Sequence, residues 1–493
     1  VRKAILTIIS GNFLSKILGL VREMLVAALF GTGNVNAAYR VAQTGTLVPI
    51  NFLTGDSLSS AFVPLYKKYK LDSHDRAQSL VWGLMGLFSL FSILLVCFSL
   101  TYADNWAGIL APGLNPGARA LTVQMLIVMA LCIPFYLLSA LLNYISMAND
   151  DYAPMSIRAS AQNLGMLIGA LFSFYLSNPI YLAWGFTGGY IIFSLWAYQR
   201  AFIRGLMAFP SKFQWALTKS IINEFWKTLR PLILLPIILQ GNIVLERSIA
   251  SLISLSAVSA IDYAKFITET IIFLLSVPVA FAGLTSWSGK TSDEMKPALI
   301  KIFKVLAFLS IPASMYLGIY ATSIVQLLFS RGDFKADSVI ETSNILIGMS
   351  FGLWGQVIGY VFIKALNAQF KNKSVLGIML LSLAGNAAVN VLLYHYLGAL
   401  TLGLGISVYG IIMLVCTLWA LNMLASIINF AIYMIVGSAC YFITTIYFKF
   451  FVGNVFVHLL LSGVFMVLFW SLYLLVLKDV RSFIKEKVFV KLK

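Results

Sequence analysis

The chain reads as an all-α polytopic membrane protein of about fourteen transmembrane helices. Composition is the first reason: 60% of the 493 residues are hydrophobic and only 11% are charged, where soluble domains carry about 25% charge. Mean hydropathy is +0.90. The second reason is that apolar runs of about 20 residues, each long enough for a hydrocarbon core of about 30 Å, recur along the whole chain. An outer-membrane barrel, with its alternating segments of about ten residues, does not fit such unbroken runs. The third is a Lys/Arg bias that alternates from turn to turn.

The predicted spans are residues 4–30, 38–65, 78–102, 120–147, 153–177 and 179–198, then 220–250, 257–287, 299–329, 338–366, 373–394 and 399–421, and last 424–448 and 453–477. Basic residues gather at Arg2 and Lys3, at Lys67, Lys68, Lys70 and Arg76, from Arg200 to Lys219, from Lys290 to Lys304, at Lys364, Lys371 and Lys373, and from Lys478 to Lys493. These are the even-numbered turns and both termini, which the positive-inside rule assigns to the cytoplasm. The formal charge of +17 reflects this bias and attraction to anionic lipid headgroups. Nucleic-acid binding is not expected, since no basic stripe lies on a soluble domain.

The longest basic stretch between spans, 199–219, divides the chain. The expected organisation is an N-terminal lobe of six spans (1–207), a C-terminal lobe of six (208–422), a helix pair (423–478) and a basic cytoplasmic tail (479–493). Each lobe opens on a helix with mid-span charges, a hint of the internal repeat that transporters use, with substrate bound between the halves.

Charges inside the first span, "SKILGLVREMLVAALFGTG" (15–33), are costly unless they face a cavity or each other. On a helix of 100° per residue, Lys16, Arg22 and Glu23 share one arc of about 140° with the glycines, opposite an apolar face. In the second span Arg40, Gln43, Thr44, Asn51 and Thr54 project within about 100° of one another, and Pro49 and Gly55 interrupt the helix. The seventh carries Glu246 and Arg247, and the eighth places Asp262, Lys265 and Glu269 on one stripe. The candidate ligand cavity is therefore lined by Lys16, Arg22, Glu23, Arg40, Asn51, Arg247, Lys265 and Glu269. Its cationic surplus suits an anion, and phosphate is the usual reason to gather Arg with Lys. A buried structural ion pair is the alternative for the charges of the first span.

Other classes fit less well. A drug/cation antiporter would favour acids in its cavity. A membrane glycosyltransferase would place acids, His or Arg on sizeable external loops, whereas the outward loops here are short and His74, His395 and His458 are scattered. The four cysteines lie in apolar runs with no CxxC or Cys/His spacing, which reads as packing.

"IVQLLFSRGDFKADSVIETSNIL" (324–346) resembles the LFxRGxF…D…T motif of the MurJ/MviN family, the lipid II flippases. The 15–33 segment resembles that family's SRxLGxxRDxxxAxxFGxG opening, with Lys16 for Arg and Glu23 for Asp. "AFVPLYKKY" (61–69), "LAPG" (110–113) and "NAAVNVLLYHYLGALTLGLGISV" (386–408) are similar to it too. The resemblance implies a fold of the multidrug/oligosaccharidyl-lipid/polysaccharide exporter superfamily, two six-helix lobes in a V plus a helix pair bearing a groove for a polyprenyl tail. It implies a flippase, not an enzyme, acting as a monomer in the bacterial inner membrane. Its substrate would be an undecaprenyl-pyrophosphate-linked glycan, moved from the cytoplasmic to the outer leaflet by alternating access.

The chain departs from the family pattern at Ala37, Ile50 and Gly55, where the resemblance implies Asp, Arg and Glu, and Lys265 stands one position before the family's Arg. A capsule, exopolysaccharide or O-antigen unit is therefore kept beside lipid II as the substrate. Some relatives place sodium between the seventh, eleventh and twelfth helices. Glu246, Asn386, Asn390 and Ser407 are the residues here that suit such a hard cation, with interhelical hydrogen bonding as the alternative. No other cofactor is expected. In the helix pair, Gly437, Ser438 and Ala439 either line the tail groove or serve helix packing.

Overall fold

The structure, a computed structural model, describes residues 2–208, 210, 215–287, 291–447 and 453–477. Among these residues it is all-helical, with no strand. The chain divides into two compact units, Val1–Ser259 with Arg331–Phe334, and Ala260–Ser330 with Lys335–Lys493. The expected basic tail, 479–493, lies outside the described residues.

The first unit holds α1 (Arg2–Phe30), α2 (Asn34–Thr54), α3 (Asp56–Asp72), α4 (His74–Thr101), α5 (Ala103–Leu110), α6 (Pro116–Ala130), α7 (Ile133–Ala148), α8 (Ala153–Tyr175), α9 (Ile180–Ile203), α10 (Trp215–Leu229) and α11 (Leu234–Ile253). Element ends follow local chemistry. The α6 N-terminus is capped by Asn115, whose side chain accepts from the Ala118 N–H at 2.8 Å, with Pro116 in the first turn. The same side chain donates to Asn34 at 2.9 Å and so ties α6 to the start of α2. Gly55 closes α2, its N–H bonded to the Asn51 carbonyl at 3.2 Å.

Two glycine pairs bring α8 and α9 into backbone contact. A Cβ on Gly165 would stand 2.6 Å from the Gly189 Cα, and one on Gly169 would stand 2.7 Å from the Gly185 Cα. This small-xxx-small seam is the membrane solution for close helix approach. It fixes α8 against its neighbours, and α8 also packs along α1. Phe62, Leu84, Met129, Leu141, Phe186 and Phe193 are among the buried side chains of the unit's core.

The first compact unit runs on to Ser259, with α11 packed against α2 and α5. Ser57 donates to the Leu232 carbonyl at 2.8 Å, and the Gly113 N–H donates to Ser251 Oγ at 3.1 Å. Arg331–Phe334 also belongs here: the Asp333 N–H donates to the Ala28 carbonyl at 2.9 Å, at the end of α1.

The second unit continues α12 (Leu255–Leu275), which begins before the boundary. It adds α13 (Val277–Trp287), α14 (Ser292–Ile319), α15 (Ala321–Phe329), α16 (Ala336–Ser350), α17 (Leu353–Ala368), α18 (Asn372–Leu397), α19 (Leu400–Ala420), α20 (Leu424–Tyr447) and α21 (Val455–Tyr473). Between α16 and α17 the axis bends by 52° at Phe351 and Gly352. Such a break frees backbone groups that lipid cannot satisfy. Ser407 of α19 supplies the partners: its hydroxyl accepts from the Gly352 N–H at 2.7 Å and donates to the Gly348 carbonyl at 2.6 Å.

Among the described residues, eight helices are long and apolar enough to cross a membrane, and the count rises to 11 if each of three bent helix pairs is one span. The other expected spans fall on α1, on α2 with α3, and on α8. These carry the polar residues of the candidate site, so length and apolarity alone do not mark them, and the count of fourteen is not reached this way. In the helix pair, Gly437 is buried beneath the Tyr473 ring, and the Tyr473 hydroxyl donates to the Tyr433 carbonyl at 2.6 Å. That contact is helix packing. Ala439, two residues on, is exposed.

Candidate functional site

The charges of the first two helices meet inside the first unit. Glu23 of α1 is 2% exposed and is held by two guanidiniums, from Arg22 beside it and from Arg40 of α2. Arg40 contacts both Glu23 oxygens, one of them at 3.2 Å, and points its Nε to Asn36 at 3.3 Å. Asn36 in turn donates to the Gly31 carbonyl at 2.6 Å. Arg40 is 4% exposed, so it is a structural partner of Glu23 rather than an open cavity cation.

Arg22 differs. It is 14% exposed and reaches across to α8, donating to Asn163 Oδ1 at 2.7 Å and lying against the Met166 sulfur. Asn163 is held by Ser15, donating to its carbonyl at 2.9 Å and its hydroxyl at 3.2 Å. One carboxylate between two guanidiniums leaves the cluster net positive. Low dielectric strengthens its pull on an anion, and Arg22 is the member of the pair with access to one.

A second polar group lies further along these helices. Asn51 of α2 accepts from the Tyr136 hydroxyl at 2.9 Å, and Tyr144 donates to the Thr54 carbonyl at 2.9 Å. Tyr136 packs on Tyr190 with ring centroids 4.9 Å apart. Over the Tyr136 ring, at 5.8 Å, stands the guanidinium of Arg158 from α8. Neither Arg158 nor Asn163 is among the site residues expected from sequence. The available signal was a lone arginine inside the apolar run 153–177, which deserves the same question as Arg22.

The remaining cavity candidates lie on α1, α11 and α12. Lys16 is half-buried on α1. Arg247 donates to the Val258 carbonyl and so clips the end of α11 to the first turn of α12. Lys265 is half-buried and Glu269 exposed, both on α12 in the second unit. Glu246 is buried on α11 in the first unit. In the second unit Asn390 donates to Asn386 Oδ1 at 2.8 Å, and both amides face Gly405 of α19. Ser407 is two residues from Gly405, about 200° around the helix, and its hydroxyl closes the α16–α17 break. Of the residues expected to suit sodium, Asn386 and Asn390 thus bond to each other and Ser407 bonds to backbone at the helix break.

The comparison with known sequences decides the family. Residues 26–477 match the family described as Lipid II flippase MurJ. The chain belongs to the MurJ family. A curated relative named probable lipid II flippase MurJ, from Thermotoga maritima, is 26% identical over 400 residues, covering 81% of this chain and 80% of the relative. The solved structure titled "Lipid II flippase MurJ, inward closed conformation" is similar with a TM-score of 0.83 at 21% identity, covering 97% of this chain and 98% of that one. An inward-facing multidrug resistance MATE transporter of the MOP superfamily is similar at a TM-score of 0.69 and 12% identity, over 83% of this chain and 94% of that one. The likeness to both structures is one of fold. Within the MurJ family pattern, two departures of this chain fall on buried positions: Ala37 and Ile50 are both fully enclosed.

Proposed function

We propose that this chain carries lipid II across the inner membrane, from the cytoplasmic to the outer leaflet, with the Arg22 cluster receiving the pyrophosphate. Membership in the MurJ family supports the substrate, and the curated relatives bear that name. A capsule, exopolysaccharide or O-antigen unit is not favoured. The observation that carries the residue assignment is Arg22 itself: a guanidinium 14% exposed, oriented by Glu23 and Asn163 within a cluster of net positive charge. Glu23 and Asn163 fix its direction, so an arriving phosphate meets a preorganised donor. The chain acts as a transporter, as a monomer, with both termini in the cytoplasm on the Lys/Arg bias.

Outward movement of a pyrophosphate headgroup runs with an inside-negative potential, worth about 2.3 kcal/mol per elementary charge at 100 mV. The test is reconstitution in liposomes with fluorescent lipid II, reading its appearance in the opposite leaflet with and without an imposed potential. Flipping faster under the inside-negative potential is expected. A protein that leaves lipid II in place under both conditions overturns the proposal.

A further inference from the structure

We infer that Arg158 of α8 is a second binding position for phosphoryl oxygens, an inference that rests on the lipid II reading for the source of its ligand. Among the described residues Arg158 has no carboxylate and no hydrogen-bond acceptor; its guanidinium stands over the Tyr136 ring face at 5.8 Å. A ring face compensates for only part of what a guanidinium loses on leaving water. The Tyr136 hydroxyl is turned to Asn51, to which it donates at 2.9 Å, and among the described residues no hydrogen bond joins it to Arg158.

Gln162 follows Arg158 by one turn on the same face of α8. Its amide nitrogen is buried with no hydrogen-bond partner. Two donors without acceptors, one of them cationic, thus stand side by side on a helix that the α9 glycine seam holds in place. Both lack the same thing, an oxygen acceptor, and for the cation that acceptor is best anionic. Arg158 precedes Asn163, the partner of Arg22, by five residues, which is about 7.5 Å along the helix axis. A pyrophosphate travelling along α8 would meet Arg158 and Arg22 in succession. The tyrosines around Arg158 would flank it with polar tips and no competing negative charge.

The wild-type protein in detergent, treated with phenylglyoxal and mapped by mass spectrometry, gives the direct test. We expect Arg158 to be labelled in the apo protein and protected about tenfold or more by lipid II and by inorganic pyrophosphate. Phosphatidylglycerol at equal concentration should not protect it. Arg158→Gln should weaken lipid II binding about tenfold, and Arg158→Lys should retain part of it.

An Arg158 that the reagent never reaches, or labels equally with and without ligand, overturns the inference. Protection by phosphatidylglycerol alone reassigns the position to a phospholipid headgroup and overturns it equally. Lipid II that protects Arg22 but not Arg158 removes this site and leaves the lipid II reading intact. Pyrophosphate that protects Arg158 in a protein with no affinity for lipid II does the reverse.

Discussion

Arg40 on α2 and Glu23 on α1 form a two-pronged ion pair with both side chains almost wholly enclosed, 4% and 2% exposed. Removing Glu23 alone would leave Arg22 and Arg40 facing each other in low dielectric. Breaking a buried pair from one side costs about 3–5 kcal/mol. Glu23→Ala and Arg40→Ala should each lower the thermal midpoint in detergent. The double variant Glu23→Ala/Arg40→Ala should cost less than the two single losses summed, because only Arg22, which is partly exposed, then remains without a carboxylate. A double-mutant cycle measures this, and strictly additive losses would show that the two residues are not coupled.

Arg22→Ala should separate function from folding. Its guanidinium is partly accessible and Glu23 keeps Arg40 as a partner, so the variant should insert and fold. Transport of lipid II should fall by at least about tenfold, the loss of one charge-assisted partner. Wild-type flipping by a folded Arg22→Ala protein would remove Arg22 from the site.

The helical class, the family and the charged character of α1 and α2 were legible in sequence, because apolar runs and mid-span charges are local signals. The pairing of Arg40 with Glu23 was not. Periodicity places both residues on inward arcs but cannot say whether two opposite charges face a ligand or each other. Asn163 and Arg158 come from a helix more than a hundred residues away, and the packing of α8 against α1 and α9 is what places them. The role of Ser407 at the broken α16–α17 helix was not legible either, because the break leaves unmet backbone groups that the sequence does not announce.

Gly332 in the "SRGDF" motif has φ +56° and lies against the Ala28 carbonyl, where a Cβ has no room. The next residue, Asp333, donates its N–H to that same carbonyl at 2.9 Å. Both the left-handed backbone and the contact exclude a side chain. Gly332→Ala should therefore destabilise the protein by about 1–3 kcal/mol. Gly188→Ala is the control: it sits within α9 with open space around it, where alanine should gain up to about 1 kcal/mol. Equal midpoints for the two variants would show that the motif contact does not contribute.

Asp151, in the turn between α7 and α8, is 5% exposed and ion-paired with Arg200 at 2.7 Å and Arg204 at 3.0 Å. Burial works to raise its carboxyl value. The hydrogen bonds from Arg200 and the Ala153 N–H, with the charges of both arginines, outweigh that and hold it below the ordinary aspartate value. A carboxyl lowered in the folded state stabilises above its unfolded value, about 3.9, and loses that contribution as pH falls through the folded one. Asp151→Asn should thus melt lower than wild type at neutral pH, on the order of 1–2 °C for each kcal/mol lost. The gap should hold down to about pH 5 and close steadily below pH 4. Thermal unfolding of both proteins across that range in one detergent is the measurement. A gap that persists unchanged into acid would mean that Asp151 acts through the shape of its turn and not through its charge.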